Sequence, residues 1–165
     1  MPDSRYLLWL KADQQEIIHA ARTTVAVVAS LLVARLFRLP ESYWAAITTI
    51  VVMQSTLGAT WTISKQRLAG TGLGAAMGAL VATYFGASVA IFGAGIFVLG
   101  VFCAWLKIER NAYRYAGITL AIVMLVARTQ PAWIIAIHRF FEISVGLTVG
   151  LALTAIWPES QPDGV

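Results

Sequence analysis

Charge is the first thing this sequence has little of: only 12% of its 165 residues are Asp, Glu, Lys or Arg. A soluble domain of this size would be about a quarter charged. With 59% hydrophobic residues and a mean hydropathy of +0.75, a water-filled surroundings for most of the chain is excluded. Cysteine is nearly absent too. The single Cys103, set among Phe102, Ala104 and Trp105, has no partner for an intrachain disulfide and reads as packing. Histidine is equally sparse: His19 and His138 lack companions at metal-ligand spacing, so no metal is expected. No phosphate-binding loop, nucleophile–base pair or redox motif is found, so neither catalysis nor a cofactor is expected, and no nucleic-acid partner. Gly70-Thr71-Gly72-Leu73-Gly74 follows no buried strand and lies within an apolar helix, which makes it a packing feature. Strict apolar–polar alternation is missing as well, and with it the signature of a β-barrel.

What is present is long apolar runs separated by short polar turns. Six segments are apolar enough to cross or enter a bilayer: residues 21–37, 43–55, 68–85, 87–106, 115–127 and 133–157. The fold class is therefore an all-α integral membrane protein with six transmembrane segments. No cleavable signal peptide is expected, because Tyr6-Leu7-Leu8-Trp9-Leu10 is short and followed by Lys11, Asp13 and Glu16. Residues 1–19 read as an interfacial helix with Tyr6 and Trp9 at headgroup depth, or else as a plain extension of the first span. Residues 20–157 form the membrane domain, and 158–165 a polar, disordered tail.

The membrane domain says the same thing twice. Trp44-Ala45-Ala46-Ile47-Thr48-Thr49-Ile50-Val51-Val52-Met53 returns as Tyr115-Ala116-Gly117-Ile118-Thr119-Leu120-Ala121-Ile122-Val123-Met124. Downstream, Arg67, Gly74 and Gly78 are matched by Arg139, Gly146 and Gly150. The repeats are residues 20–86 and 87–157, each with three spans. An odd number of spans inverts the second copy relative to the first, around a pseudo-two-fold axis in the membrane plane.

Orientation follows the basic residues. With the N-terminus in the cytoplasm, one side carries Arg5, Lys11, Arg22, Lys65, Arg67, Lys107, Arg110 and Arg114, and the other Arg35, Arg38, Arg128 and Arg139. Both termini are thus expected inside.

The second and fifth segments are short, about 13 residues or ~20 Å of helix against a hydrocarbon core of ~30 Å. They end in Gln54-Ser55-Thr56-Leu57-Gly58 and Arg128-Thr129-Gln130-Pro131, sequences that interrupt a helix. Irregular backbone at depth is tolerated where it lines a cavity or is buried in protein, so the breaks point to a central site. Gln54, Thr56, Thr129 and Gln130 are its candidate polar lining. Arg67 and Arg139 are expected to open the third and sixth helices, where helix N-termini add to their positive charge and favour an anion. Two readings of these arginines stay open: an anion path, or interfacial anchors that snorkel. Glu142, within reach of Arg139 on the same helix face, is a candidate proton carrier or a fixed partner of Arg139. Gly70, Gly74, Gly78, Gly146 and Gly150 lie at spacing of four and are expected to let the third and sixth helices cross closely, or to meet a second subunit. Trp44, Trp61, Trp105, Trp133 and Trp157 are expected in aromatic belts.

Several stretches resemble the fusaric acid resistance family of aromatic acid exporters, which is related to plant aluminium-activated malate transporters. They are Leu39-Pro40-Glu41-Ser42-Tyr43-Trp44-Ala45-Ala46-Ile47, Val52-Met53-Gln54-Ser55-Thr56-Leu57-Gly58-Ala59-Thr60, Arg67-Leu68-Ala69-Gly70-Thr71-Gly72-Leu73-Gly74 and Arg139-Phe140-Phe141-Glu142-Ile143-Ser144-Val145-Gly146. The resemblance runs from about residue 20 to 157. It implies export or conduction of organic carboxylate anions across a bacterial inner membrane. It also implies a homodimer, since larger bacterial members carry two six-span units. Two alternatives accompany the exporter: an uncoupled anion channel, and a membrane subunit that transports nothing alone.

Overall fold

The computed structural model describes residues 4–126 and 130–158; Arg128, Thr129 and the tail 159–165 lie outside the described residues, as do the side chains of residues 4–13, Tyr6 and Trp9 among them. The described residues form α1 (Ser4–Leu36), α2 (Tyr43–Val52), α3 (Leu57–Tyr84), α4 (Val89–Trp105), α5 (Arg110–Leu125) and α6 (Ala132–Ile156). No strand occurs among them. Gln14–Leu36 and Ala132–Ile156 are long and apolar enough to cross a membrane; Tyr43–Val52 and Val89–Trp105 are apolar but shorter.

α1 is continuous, so the segment expected at the interface and the first span form one helix. α2 is short, 10 residues, and ends at Met53, whose ψ of 120° is extended. α5 is longer than the sequence suggested, because Arg110–Arg114 join it.

The largest departure is at α3, which begins at Leu57 rather than near residue 68. Thr56 is its N-cap: extended, with its hydroxyl accepting from the Ala59 N–H at 3.2 Å. The polar run Ser64-Lys65-Gln66-Arg67 reads as a break by polarity, yet Lys, Gln and Arg are good helix formers, and the helix runs through them. Arg67 therefore sits well inside α3, and Arg139 in the second turn of α6. The expectation that both open their helices is corrected, and the helix-terminus contribution to their charge goes with it, since that field fades within the first turn.

The duplication is visible in the backbone. α1 and α4 end alike, with Arg38 and Lys107 both in the left-handed region at φ 54°. Leu39 N–H reaches Ala34 O at 3.1 Å and Arg38 N–H reaches Arg35 O at 2.9 Å. Ile108 to Cys103 and Lys107 to Ala104 repeat that pattern at 2.9 and 3.1 Å. These are the paired bonds of a Schellman cap, built here on residues that carry side chains.

Packing repeats as well. α1 lies against α2 and α6, as α4 lies against α5 and α3, and α3 and α6 meet in the middle. Gly74 abuts the Ala116 carbonyl so closely that a Cβ there would overlap it, and Gly146 stands in the same relation to the Ala45 carbonyl. One turn on, a Cβ on Gly78 would meet Val123 at 3.0 Å and one on Gly150 would meet Val52 at 3.0 Å. Ala45 and Ala116, like Val52 and Val123, are counterparts in the repeat. The glycine faces thus receive α5 and α2, not each other, which corrects the expected α3–α6 glycine crossing; α6 instead meets α3 at Gly72, where a Cβ would lie 3.7 Å from Phe140. The alanine carbonyls can come this near because glycine leaves nothing in their way.

Candidate functional site

Among the described residues three arginines are buried: Arg22 is fully enclosed, Arg67 is 5% exposed and Arg139 is 2% exposed. A guanidinium out of water demands compensation, so what each one meets decides its role.

Arg139 is compensated twice. Its Nη1 donates to Glu142 Oε2 at 3.0 Å, and its Nη2 pairs with Glu41 Oε2. The cation also lies over the Trp44 ring, 4.5 Å from the centroid. The two carboxylates are themselves fixed. Glu41 N–H donates to Glu142 Oε1 at 2.8 Å. Tyr43 Oη and Trp44 Nε1 donate to Glu41 Oε2 at 2.8 and 3.0 Å. Partial burial alone would raise the Glu41 carboxyl, but Arg139 and the hydrogen bonds from Tyr43 and Trp44 outweigh it and hold it below the usual carboxylate range. A cavity of about 110 Å³ opens onto this cluster, lined among others by Glu41, Gln130, His138, Arg139 and Glu142.

Arg67 occupies the matching place in the first half and is compensated differently. It lies over the Tyr115 ring at 4.8 Å, Tyr115 being the repeat counterpart of Trp44. Its Nη2 donates to the Thr48 hydroxyl at 3.3 Å. Among the described residues no carboxylate forms an ion pair with it, and its Nε has no hydrogen-bond partner. Where Glu142 follows Arg139, Gly70 follows Arg67, and a Cβ there would already meet Tyr115 Cβ at 2.8 Å.

Arg22, counted with the surface charges on sequence, is buried and works as a clasp. Its guanidinium donates to Trp157 O at 2.9 Å, at the end of α6, and to Gln54 O at 2.5 Å, just beyond α2. The Trp157 carbonyl belongs to the C-cap of α6, and the Gln54 carbonyl to the turn that follows α2.

The structure brings Arg139, Glu142 and Gln130 together around one cavity. It does not bring Gln54 or Thr56 to them. Gln54 folds back, its amide donating to Met53 O at 2.9 Å and its N–H to Thr60 Oγ1 at 3.2 Å, while Thr56 caps α3. Thr129 lies outside the described residues. Arg67 and Arg139 are both buried within the protein rather than exposed on its surface. Sequence reasoning missed Glu41, Arg22 as a buried group, and the stacking role of Trp44, which was assigned to a belt. A signal for the last was on view: an aromatic residue stands at the head of both repeated stretches.

A helical bundle with two helices long and apolar enough to cross a bilayer, and with arginines buried inside it, has the features of an integral membrane protein. The chain belongs to the fusaric acid resistance protein-like family, whose model matches residues 26–153. It is 29% identical over 149 residues to the inner membrane protein YeeA of Escherichia coli K12, an alignment that covers 87% of this chain and 41% of that one. It is 31% identical over 166 residues to the uncharacterized transporter YdhK of Escherichia coli K12, covering 95% of this chain and 25% of the relative. The YdhK of Salmonella typhimurium is 30% identical over 173 residues, covering 99% and 25%. The chain thus spans a quarter to two-fifths of the length of these relatives.

Proposed function

We propose that this chain is a transporter of organic, aromatic carboxylate anions, acting as an exporter in a homodimer of the bacterial inner membrane with both termini in the cytoplasm. The observation that carries the reading is Arg67: a buried guanidinium with a hydroxyl and an aromatic face for company and, among the described residues, no carboxylate paired with it. Burial of an uncompensated cation is costly, and a bound anion relieves that cost. Arg139 takes a lesser part in attracting cargo, because Glu41 and Glu142 already meet its charge. Glu142 is read as the fixed partner of Arg139, and proton carriage by it is not part of the proposal. Gln130 remains as polar lining of the cavity beside that cluster.

The inverted-repeat reading has support in the registers. α2 runs with α6, Ala45 lying at Gly146 and Val52 at Gly150. α5 runs with α3, Ala112 lying at Gly70 and Val123 at Gly78. α3 runs against α2, since Thr48 meets Arg67 while Gln54 meets Thr60. The counterparts α2 and α5 consequently point in opposite directions, as inverted units do. The family membership and the transporter names of the relatives support carriage across a membrane.

The test is efflux of radiolabelled benzoate from proteoliposomes. Wild type moves it and Arg67→Gln does not, while the variant keeps its helical content and melting temperature. Equal rates in both would remove Arg67 from the path.

A further inference from the structure

The two halves are built alike but differ along one helix face. In the first half that face reads Ser64, Arg67, Gly70; in the second it reads Ala136, Arg139, Glu142. Ser64 is 3% exposed, and its hydroxyl oxygen has no hydrogen-bond partner, one turn before Arg67. The Nε atoms of Arg67 and Arg139 are alike unpartnered, so the two halves differ in the hydroxyl and the carboxylates. Buried hydroxyls ordinarily find a partner, so an orphan one turn from a cation that no described carboxylate pairs marks a place where an acceptor is missing. In the second half the hydroxyl is replaced by a methyl group, and the acceptor is supplied from within, by Glu142 and Glu41.

We propose that each chain carries a single anion site, in the first half only, in which Ser64 and Thr48 join Arg67 to hold one monovalent carboxylate, and that the matching site of the second half is permanently filled by the protein's own carboxylates. The inference rests on the anion reading of Arg67 above and goes beyond it in naming Ser64, the stoichiometry and the valence. One guanidinium that already meets a hydroxyl matches one carboxylate, and Arg139, paired with both Glu41 and Glu142, offers no free charge to a second.

Equilibrium dialysis of radiolabelled benzoate against the chain in lipid nanodiscs tests this. Wild type is expected to bind one benzoate per chain. Ser64→Ala keeps that stoichiometry with affinity about tenfold weaker, the loss of one hydrogen bond to a charged group. Replacing both internal carboxylates, Glu41→Gln with Glu142→Gln, frees Arg139 and raises the stoichiometry to two. Should that double variant not fold, the wild-type stoichiometry and Ser64→Ala still decide. Two benzoates per chain in wild type, or unchanged affinity in Ser64→Ala, overturns the inference while leaving an anion transporter standing. Absence of any benzoate binding in wild type overturns the inference together with the function it rests on.

Discussion

The Arg67 guanidinium lies over the Tyr115 ring, 4.8 Å from its centroid. The repeat reproduces the arrangement with Arg139 over Trp44 at 4.5 Å. In each half an arginine of the third helix faces an aromatic residue on the second helix of the other half. The halves differ in the charges around that pair. Glu41 and Glu142 close on Arg139, and no described carboxylate closes on Arg67.

That difference predicts opposite stability effects for equivalent substitutions. Arg139→Gln strands two carboxylates at a buried site and is expected to cost about 3–5 kcal/mol, as is typical when one member of a buried ion pair is removed. Arg67→Gln removes a buried charge that lacks an ionic partner, so its melting temperature stays at or above the wild-type value. Thermal unfolding in mild detergent, followed by circular dichroism, checks both; a matching loss in the two variants would contradict the asymmetry.

The glycines divide in the same measurement. Gly74→Ala and Gly146→Ala push a methyl group into the Ala116 and Ala45 carbonyls, and each is expected to destabilise by about 1–3 kcal/mol through overpacking. Gly93 has nothing within 4 Å of a Cβ, so Gly93→Ala is expected to be neutral or slightly stabilising. Equal behaviour of all three would refute the close approach of α2 to α6 and of α5 to α3.

Arg22→Ala leaves the part-buried carbonyls of Gln54 and Trp157 without this donor and is expected to destabilise by about 1–3 kcal/mol in all. Arg22→Lys, which has no fork to span both carbonyls, recovers only part of the loss. Hydrogen exchange at the end of α2 is the specific readout. Faster exchange there and at the end of α6, with the start of α2 unchanged, is the expected pattern.

Glu41 supplies a pH dependence whose sign follows from its lowered folded-state pKa. Its contribution is complete above the unfolded carboxylate pKa, about 4.3, and is lost as the pH falls through the lower folded value. The part of the melting temperature owed to Glu41 is therefore expected to hold from neutral pH down to about 5 and to fall in stronger acid. Glu41→Gln should flatten the acid limb; an unaltered limb would assign it to other groups.

Much of the fold was legible in the sequence because apolar runs and their breaks are written in composition. Helix order, the short α2 and the duplicated stretches all come from there. The start of α3 was not, since Ser64-Lys65-Gln66-Arg67 is polar enough to mimic a loop while its side chains suit a helix. The site was legible by half. Arg67, Arg139 and Glu142 stand out as charges in apolar surroundings, but Glu41 lies in a connecting segment and meets Arg139 only across 98 positions of sequence. Burial of Arg22 was hidden for the same reason: its acceptors are backbone carbonyls, and carbonyls leave no mark in a sequence.

The most direct test of the central claim is heavy-atom density in the protein reconstituted with 4-iodobenzoate. The iodinated ring is expected once per chain, with its carboxylate beside Arg67, Thr48 and Ser64. Density seated at Arg139 instead, or none in a protein that still moves carboxylates, would contradict it.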